Sequence, residues 1–216
     1  MLNIVQKCNT QFYLTGGTAL GRAYYHHRYS DDLDFFTTRD INYKTQVEVV
    51  LASLKENGYS WSETENFTRN DNFLTIKVFH KDFDAQLKLD FVNDTVPNFG
   101  EIVNTPLYYR VDSIHNIISN KIGALYRFEG KDIADLRELS LREHFSWPAV
   151  LNEARQKDGG VESSIISDIL TTVPEYAFND VKWRDPVPTF AQFQADLKVI
   201  VHDMINCIDN TLVKGN

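Results

Sequence analysis

Gly16, Gly17 and Thr18, followed after a spacer by Asp32 and Asp34, are the residues of this chain best suited to chemistry. Glycines let backbone N–H groups approach a phosphate closely, and a helix opening behind them favours negative charge. Two carboxylates separated by one residue supply hard oxygen donors to metal ions that also grip phosphates. Together they form the layout of a site for a nucleoside triphosphate and two magnesium ions.

The elements that must position these groups are readable around them. Gln11–Thr15 has the composition of a short strand running into the glycines. The spacing of Ala19, Leu20, Ala23 and Tyr24 predicts a helix over 18–28. Leu33–Phe36 reads as a buried strand. Alternation then puts Asp32 and Asp34 on one face and Leu33 and Phe35 in the core. Asp31 is out of phase and solvated.

The chain has 216 residues, 43% of them hydrophobic and 12% aromatic, enough to bury a core in one large domain or two small ones. A formal net charge of -8 argues against coating nucleic acid by bulk electrostatics, though a local basic patch can still hold one RNA end. Cys8 and Cys207 lie near opposite ends with no metal spacing or disulfide framework. A reducing cytoplasm fits that usage. No apolar run is long enough to span a bilayer, and no signal segment is visible.

The first half reads as α/β: a helix over 43–57 ended by Gly58, then strand-rich runs over 59–68, 73–80 and 83–92. Arg69–Asn72 and His80–Asp82 are the turns between them. From Asp112 onward helices are predicted over 113–128, 132–145, 148–157, 161–172 and 189–211, with a proline-bearing loop over 173–189. The expected fold class is α+β. Residues 1–108 form a catalytic domain with a mixed sheet, and residues 109–216 a helical bundle completing its cleft.

The stretch FYLTGGTALGRAYYHHRYSDDLDFF resembles the first motif of the AbiEii/AbiGii toxin family. That family belongs to the DNA polymerase β-type nucleotidyltransferase superfamily, whose pattern is Gly-Gly or Gly-Ser, a spacer and Asp-x-Asp. Thr18 keeps the hydroxyl usual at that position. Arg28-Tyr29-Ser30-Asp31-Asp32-Leu33-Asp34-Phe35-Phe36 is similar to the family's Arg-x-Ser-x-Asp-Leu-Asp-Phe-Phe run. The resemblance covers both halves, with its strong motifs in 12–36, 86–92 and 115–139.

The resemblance implies a nucleotidyltransferase fold, a triphosphate substrate, two Mg2+ ions, and a third carboxylate on a neighbouring strand. Asp90 matches best: Gln86, Lys88 and Asp90 alternate with the apolar Leu87, Leu89 and Phe91. It would act as a general base or as a ligand of the catalytic metal. Otherwise it is a solvated strand residue, and Asp84 and Asp94 are weaker candidates.

Lys121 falls on the apolar seam made by Ile117, Ile118, Ile122 and Leu125. A lysine there either snorkels to water or meets an anion such as a triphosphate. The resemblance assigns a lysine at this place, and the Lys131-Asp132-Ile133-Ala134-Asp135-Leu136 run after it, to the active site. It does not say which aspartate acts. Asp132, a helix N-cap on the bland reading, is the first choice and Asp135 the second. Arg28 pairs with local carboxylates or phosphate; Arg127 and Lys131 bind phosphate or an RNA end, or are plain surface charges.

His26 and His27 diverge by about 100° on a helix and read as helix C-terminal residues, not a metal pair. Trp147, Trp183 and the stripe from Phe190 to Ile208 read as core. There is no nucleophile elbow and no Walker-type loop.

The expected reaction is transfer of a nucleoside monophosphate to an acceptor hydroxyl. The resemblance implies an RNA or tRNA end as acceptor, a toxin of a type IV toxin–antitoxin system, and a cognate antitoxin as partner. A small-molecule nucleotidyltransferase of the antibiotic-modifying kind and a non-catalytic nucleotide-binding module are the alternatives.

Overall fold

The computed structural model describes residues 1–213. The chain divides into two compact units, one comprising Met1–Tyr24 with Ser30–Asp112, the other Tyr25–Tyr29 with Ser113 onward.

The first unit is built on a mixed sheet. Helix α1 (Leu2–Lys7) precedes strand β1 (Tyr13–Leu14), which leads into α2 (Gly16–Ala19) and a π-helical turn over Leu20–Tyr24. Then come β2 (Asp32–Thr38), α3 (Tyr43–Glu56), the short β3 (Tyr59–Ser60) and β4 (Thr68–Arg69), and the long hairpin of β5 (Phe73–His80) and β6 (Phe83–Asp94). The order is β1-β2-β6-β5-β3, with β4 also on β5. β2 and β6 run parallel; β1–β2 and β5–β6 are antiparallel.

Alternation fixes which face of this sheet is dry. Leu33, Phe35, Leu89, Phe91, Leu74 and Ile76 are fully or almost fully buried. Phe35 stacks on Phe91 at 5.3 Å, and Phe12 meets Phe91 edge-on at 5.1 Å. Tyr43, at the start of α3, donates its hydroxyl to the Phe91 carbonyl, and burial pushes that phenol up to about 12. A one-residue slip of β2 would bury Asp32 and Asp34 and expose Leu33 and Phe35, so register is strongly specified.

The second unit is helical: α4 (Ile114–Ala124) with a 3-10 turn over Leu125–Arg127, α5 (Gly130–Arg142), α6 (Trp147–Lys157), α7 (Ser163–Thr171), α8 (Glu175–Asn179) and α9 (Phe190–Ile205). The Ser113 side chain caps α4 by accepting from the Asn116 N–H, and Thr189 caps α9 by accepting from Gln192. Ile117, Ile118 and Ile122 on α4 are buried, as are Trp147, Val150 and Leu151 on α6, and the two helices pack together. Among the described residues no helix is long and apolar enough to cross a membrane.

Several sequence expectations change here. The helix after the glycines ends at Tyr24 and not at 28; His26 has φ 57, a left-handed conformation no helix continues through. His26 and His27 are therefore not helix C-terminal residues. The strand-rich run over 59–68 keeps only its ends, because its middle lacks apolar alternation. The proline-bearing loop contains α8. Helix α9 stops at Ile205, leaving Ile205 and Ile208 exposed, and Trp183 is half-buried.

Candidate active site

The glycine turn is held against β2 by the backbone. Thr15 N–H donates to the Asp34 carbonyl at 3.0 Å, and Gly16 turns the chain at φ 64. A Cβ on Gly16 would lie 3.1 Å from Asp34 Oδ2, so glycine answers both the conformation and the close approach. Thr18 is buried; its hydroxyl donates to the Asp32 carbonyl at 2.6 Å and lies 3.3 Å from Asp34 Oδ2. The hydroxyl thus pins the turn to β2. Thr15, also buried, donates to Asp112 Oδ2 at 2.5 Å.

The sheet then brings the acids together. In the β2–β6 register Asp32 pairs with Lys88 and Asp34 with Asp90, and β5 places Thr75 opposite Asp90. Residues in register share a face, so Asp32, Asp34 and Asp90 lie on the half-exposed side opposite Leu33, Phe35, Leu89 and Phe91. Asp31 is exposed, and Asp84 is exposed at the strand end. Asp90 is engaged at both oxygens: Thr75 Oγ1 donates to Oδ1 and Lys88 Nζ to Oδ2, each at 2.5 Å. Burial works against charge on Lys88. The bond to Asp90 and the charges of Asp90, Asp32 and Asp34 outweigh it and raise its pKa.

This donor set suits a hard cation. Three carboxylates face one internal ammonium, leaving an excess of negative charge. Among the described residues no three His, Cys, Asp or Glu side chains converge tightly enough to hold a metal ion as they stand. Lys88 and Thr75 were not singled out from the sequence. The signal for Lys88 was its place two residues before Asp90 on the same strand face.

In the helical unit Lys121, Arg127, Asp132, Asp135 and Arg28 meet in a buried ionic cluster, whereas Lys131 pairs with Glu129 outside it. Lys121 Nζ sits 2.7 Å from Asp132 Oδ1 and 2.6 Å from Asp135 Oδ2. Arg127 donates to Asp132 Oδ2 from Nε and NH2. Arg28 donates to both oxygens of Asp135 at 2.7 and 2.6 Å, and His27 Nε2 lies 2.8 Å from Oδ1. Asp132 and Asp135 are 0% exposed, Arg28 4% and Lys121 5%.

Burial alone would raise the Asp135 pKa. The Lys121 charge, the His27 hydrogen bond and Arg28 overcome it and hold the carboxyl well below the usual range. An ionised Asp135 only accepts, so His27 carries its proton on Nε2. Burial likewise opposes the Lys121 charge, and Asp135 and Asp132 override it, raising its pKa.

Two readings are corrected by this geometry. Asp132 is not the N-cap, which is Glu129; it lies in the first turn of α5, pointing into the cluster. Lys121 does not snorkel to water: it is buried, and two carboxylates hold its ammonium. His27 was missed as a cluster member, since only tertiary contact across 108 residues reveals it.

The structure is similar to JHP933 from Helicobacter pylori at 22% identity, covering 94% of this chain and 88% of that one with a TM-score of 0.63. It is also similar to MenT4, a nucleotidyltransferase toxin from Mycobacterium tuberculosis, at 19% identity, 91% and 76% coverage and a TM-score of 0.61. At these identities the likeness is one of fold. No curated protein matches the chain. The family model described as "Nucleotidyl transferase AbiEii toxin, Type IV TA system" matches residues 4–202. With the glycine turn, the Asp-x-Asp strand and nearly the whole length matched, the chain belongs to the AbiEii family of nucleotidyltransferase toxins.

Proposed function

We propose that this nucleotidyltransferase moves a nucleoside monophosphate from a triphosphate to a hydroxyl at an RNA end, in the manner of a tRNA-modifying toxin, with magnesium as its metal. The observation that carries the reading is the shared face of Asp32, Asp34 and Asp90 beside a glycine whose Cβ would crowd Asp34. Bound magnesium would neutralise phosphate charge and favour departure of pyrophosphate. Asp32 and Asp34 are the residues that would hold it.

The backbone N–H groups at Gly16, Gly17 and Thr18 seat the β- and γ-phosphates, and the Thr18 hydroxyl keeps that turn fixed on β2. The acceptor oxygen bonds to the α-phosphorus as the bond to the β-bridging oxygen breaks. Asp90 takes the acceptor proton, and Lys88 balances the carboxylates of that face. Lys121, Asp132, Asp135 and Arg28 enter as the buried ionic framework of the helical unit. A cognate antitoxin and a cytoplasmic setting accompany the type IV reading.

The test is incubation of purified protein with magnesium, total RNA and each labelled nucleoside triphosphate, with Asp34→Ala alongside. Label on a discrete RNA band with the wild type alone supports the reading. Bound triphosphate without transfer to any RNA overturns the RNA acceptor and turns the search to small-molecule hydroxyls.

A further inference from the structure

The helical unit contains a cavity of about 560 Å³, set between α5, the start of α9, and the segments around His27 and Arg184. That volume suits one nucleotide. Three guanidinium groups line it, those of Arg137, Arg142 and Arg184, in a chain of net charge -8.

The three guanidinium groups are differently committed. Arg137 is 6% exposed and gives Nε and NH2 to Asp196 Oδ2, leaving NH1 without a partner among the described residues. Arg142 gives Nε to Glu138 Oε1, and its guanidinium stands 5.8 Å from the Tyr25 ring centroid. Arg184 has no carboxylate partner among the described residues and stands 5.3 Å from the Tyr29 ring. Two carboxylates, Glu138 and Asp185, share the lining, and Glu138 is taken by Arg142.

The cavity also has aromatic surface. Trp183 packs against Phe178 and Phe193 at 5.3 and 5.8 Å, donates Nε1–H to the Phe178 carbonyl, and contributes to the lining while half-buried. Its ring is thereby fixed, as a stacking platform must be. His27 lines the same wall, and its Nδ1 is buried with no hydrogen-bond partner among the described residues. With Nε2 committed to Asp135, Nδ1 is the ring nitrogen left without a partner.

The geometry points to this cavity as a site for one nucleotide of a single-stranded RNA, with its base against Trp183 and its phosphate among the arginines. Arginine forks match phosphate oxygens, and rigid rings bind bases without sequence preference. A ribose hydroxyl, donor and acceptor at once, supplies the partner that His27 Nδ1 lacks. An acidic peptide would use the arginines but leave the ring surface unused, which favours RNA. The inference rests on the RNA-acceptor reading above and deepens it by naming where the strand is held.

The experiment titrates a fluorescein-labelled single-stranded oligoribonucleotide with wild-type protein, without triphosphate or magnesium, over a range of salt. Arg142→Ala and Arg184→Ala each weaken binding about fivefold and lower the salt slope by about one. Tryptophan fluorescence falls as unlabelled oligonucleotide binds. Trp183→Phe keeps a ring against Phe178 and Phe193 but abolishes that fall. Wild-type RNA affinity in the Arg142→Ala/Arg184→Ala double variant overturns the proposal. So does tighter binding of hexaglutamate than of the oligonucleotide, weakened by the same substitutions. RNA binding that depends on both arginines, in a protein that transfers nothing, overturns the enzymatic RNA reading and leaves the cavity standing. Transfer to RNA with an unchanged RNA KM in the double variant overturns the cavity alone.

Discussion

Lys88 Nζ lies 2.5 Å from Asp90 Oδ2, two residues along the same strand and on the same face. The carboxylate side of the sheet thus carries its own counter-ion, whose charge Asp32 and Asp34 also favour.

Removing that ammonium leaves three acids facing one another. Lys88→Met is expected to lower stability in metal-free buffer by about 1 kcal/mol, because Asp90 loses a charge-assisted bond. Magnesium then has more repulsion to relieve, so its stabilising effect grows. The check is thermal unfolding with and without magnesium chloride. A metal-induced rise in Tm no larger than the wild type's would contradict this.

Gly16→Ala tests the turn. The left-handed backbone costs an alanine about 1 kcal/mol, and its methyl group meets Asp34 Oδ2. Displacing that oxygen by a fraction of an ångström is expected to lower transfer at least tenfold, on the scale by which misplacement of about 1 Å costs about 100-fold. Unfolding and nucleotide transfer measured on the same preparation separate the two effects. A variant with wild-type turnover would show that the close approach is incidental.

Asp135→Asn tests the ionic cluster and has a pH signature. The folded carboxyl titrates below its unfolded value, so its contribution is fully present above that unfolded value, about 3.9. It is lost as pH falls through the lower folded value. The substitution takes from Arg28 and Lys121 the buried charge they share, leaving Lys121 to Asp132 alone, a loss of about 3 kcal/mol at neutral pH. Urea unfolding from about pH 7 down to about pH 3 should show a constant gap that closes only in acid. A gap that widens on acidification would reverse the assignment.

Gly130→Ala sets helix propensity against packing. At an ordinary helical glycine, alanine stabilises by up to about 1 kcal/mol. Gly123, with nothing within 4 Å of its added Cβ, should behave that way. At Gly130 the Cβ would sit 1.8 Å from the Ala177 carbonyl oxygen, so α5 and α8 must separate. The expected result is a net loss of about 2 kcal/mol. Denaturant midpoints of the two variants, compared directly, decide it.

Local periodicity carried much of this in the sequence. The Asp-x-Asp strand, the alternation around Asp90 and the isoleucine seam beneath Lys121 each follow from residues within one or two turns or strand repeats. What stayed hidden needed partners far along the chain. Nothing near Lys121 says that its anions are Asp132 and Asp135, and nothing near Asp135 names His27 and Arg28. The π-helical turn and the left-handed His26 were also illegible, since both are local departures that tertiary contact selects. Lys88 was visible as a polar strand residue, but its role emerged only when β2 was set beside β6.

His27 and Arg28 reach the carboxylate of Asp135 across 108 and 107 residues, from a five-residue strip, Tyr25–Tyr29, flanked on both sides by chain of the other unit. On the ribosome these two residues emerge roughly 5 to 20 seconds before their acid, at the usual pace of synthesis. Until then they lack the carboxylate they will share, and the long loop that must close carries its own entropic cost. The helical unit cannot finish from its own contiguous stretch; it waits for a strip of chain made long before. A nascent protein halted before Asp135 would therefore hold this basic pair without the acid that fixes it in the finished fold.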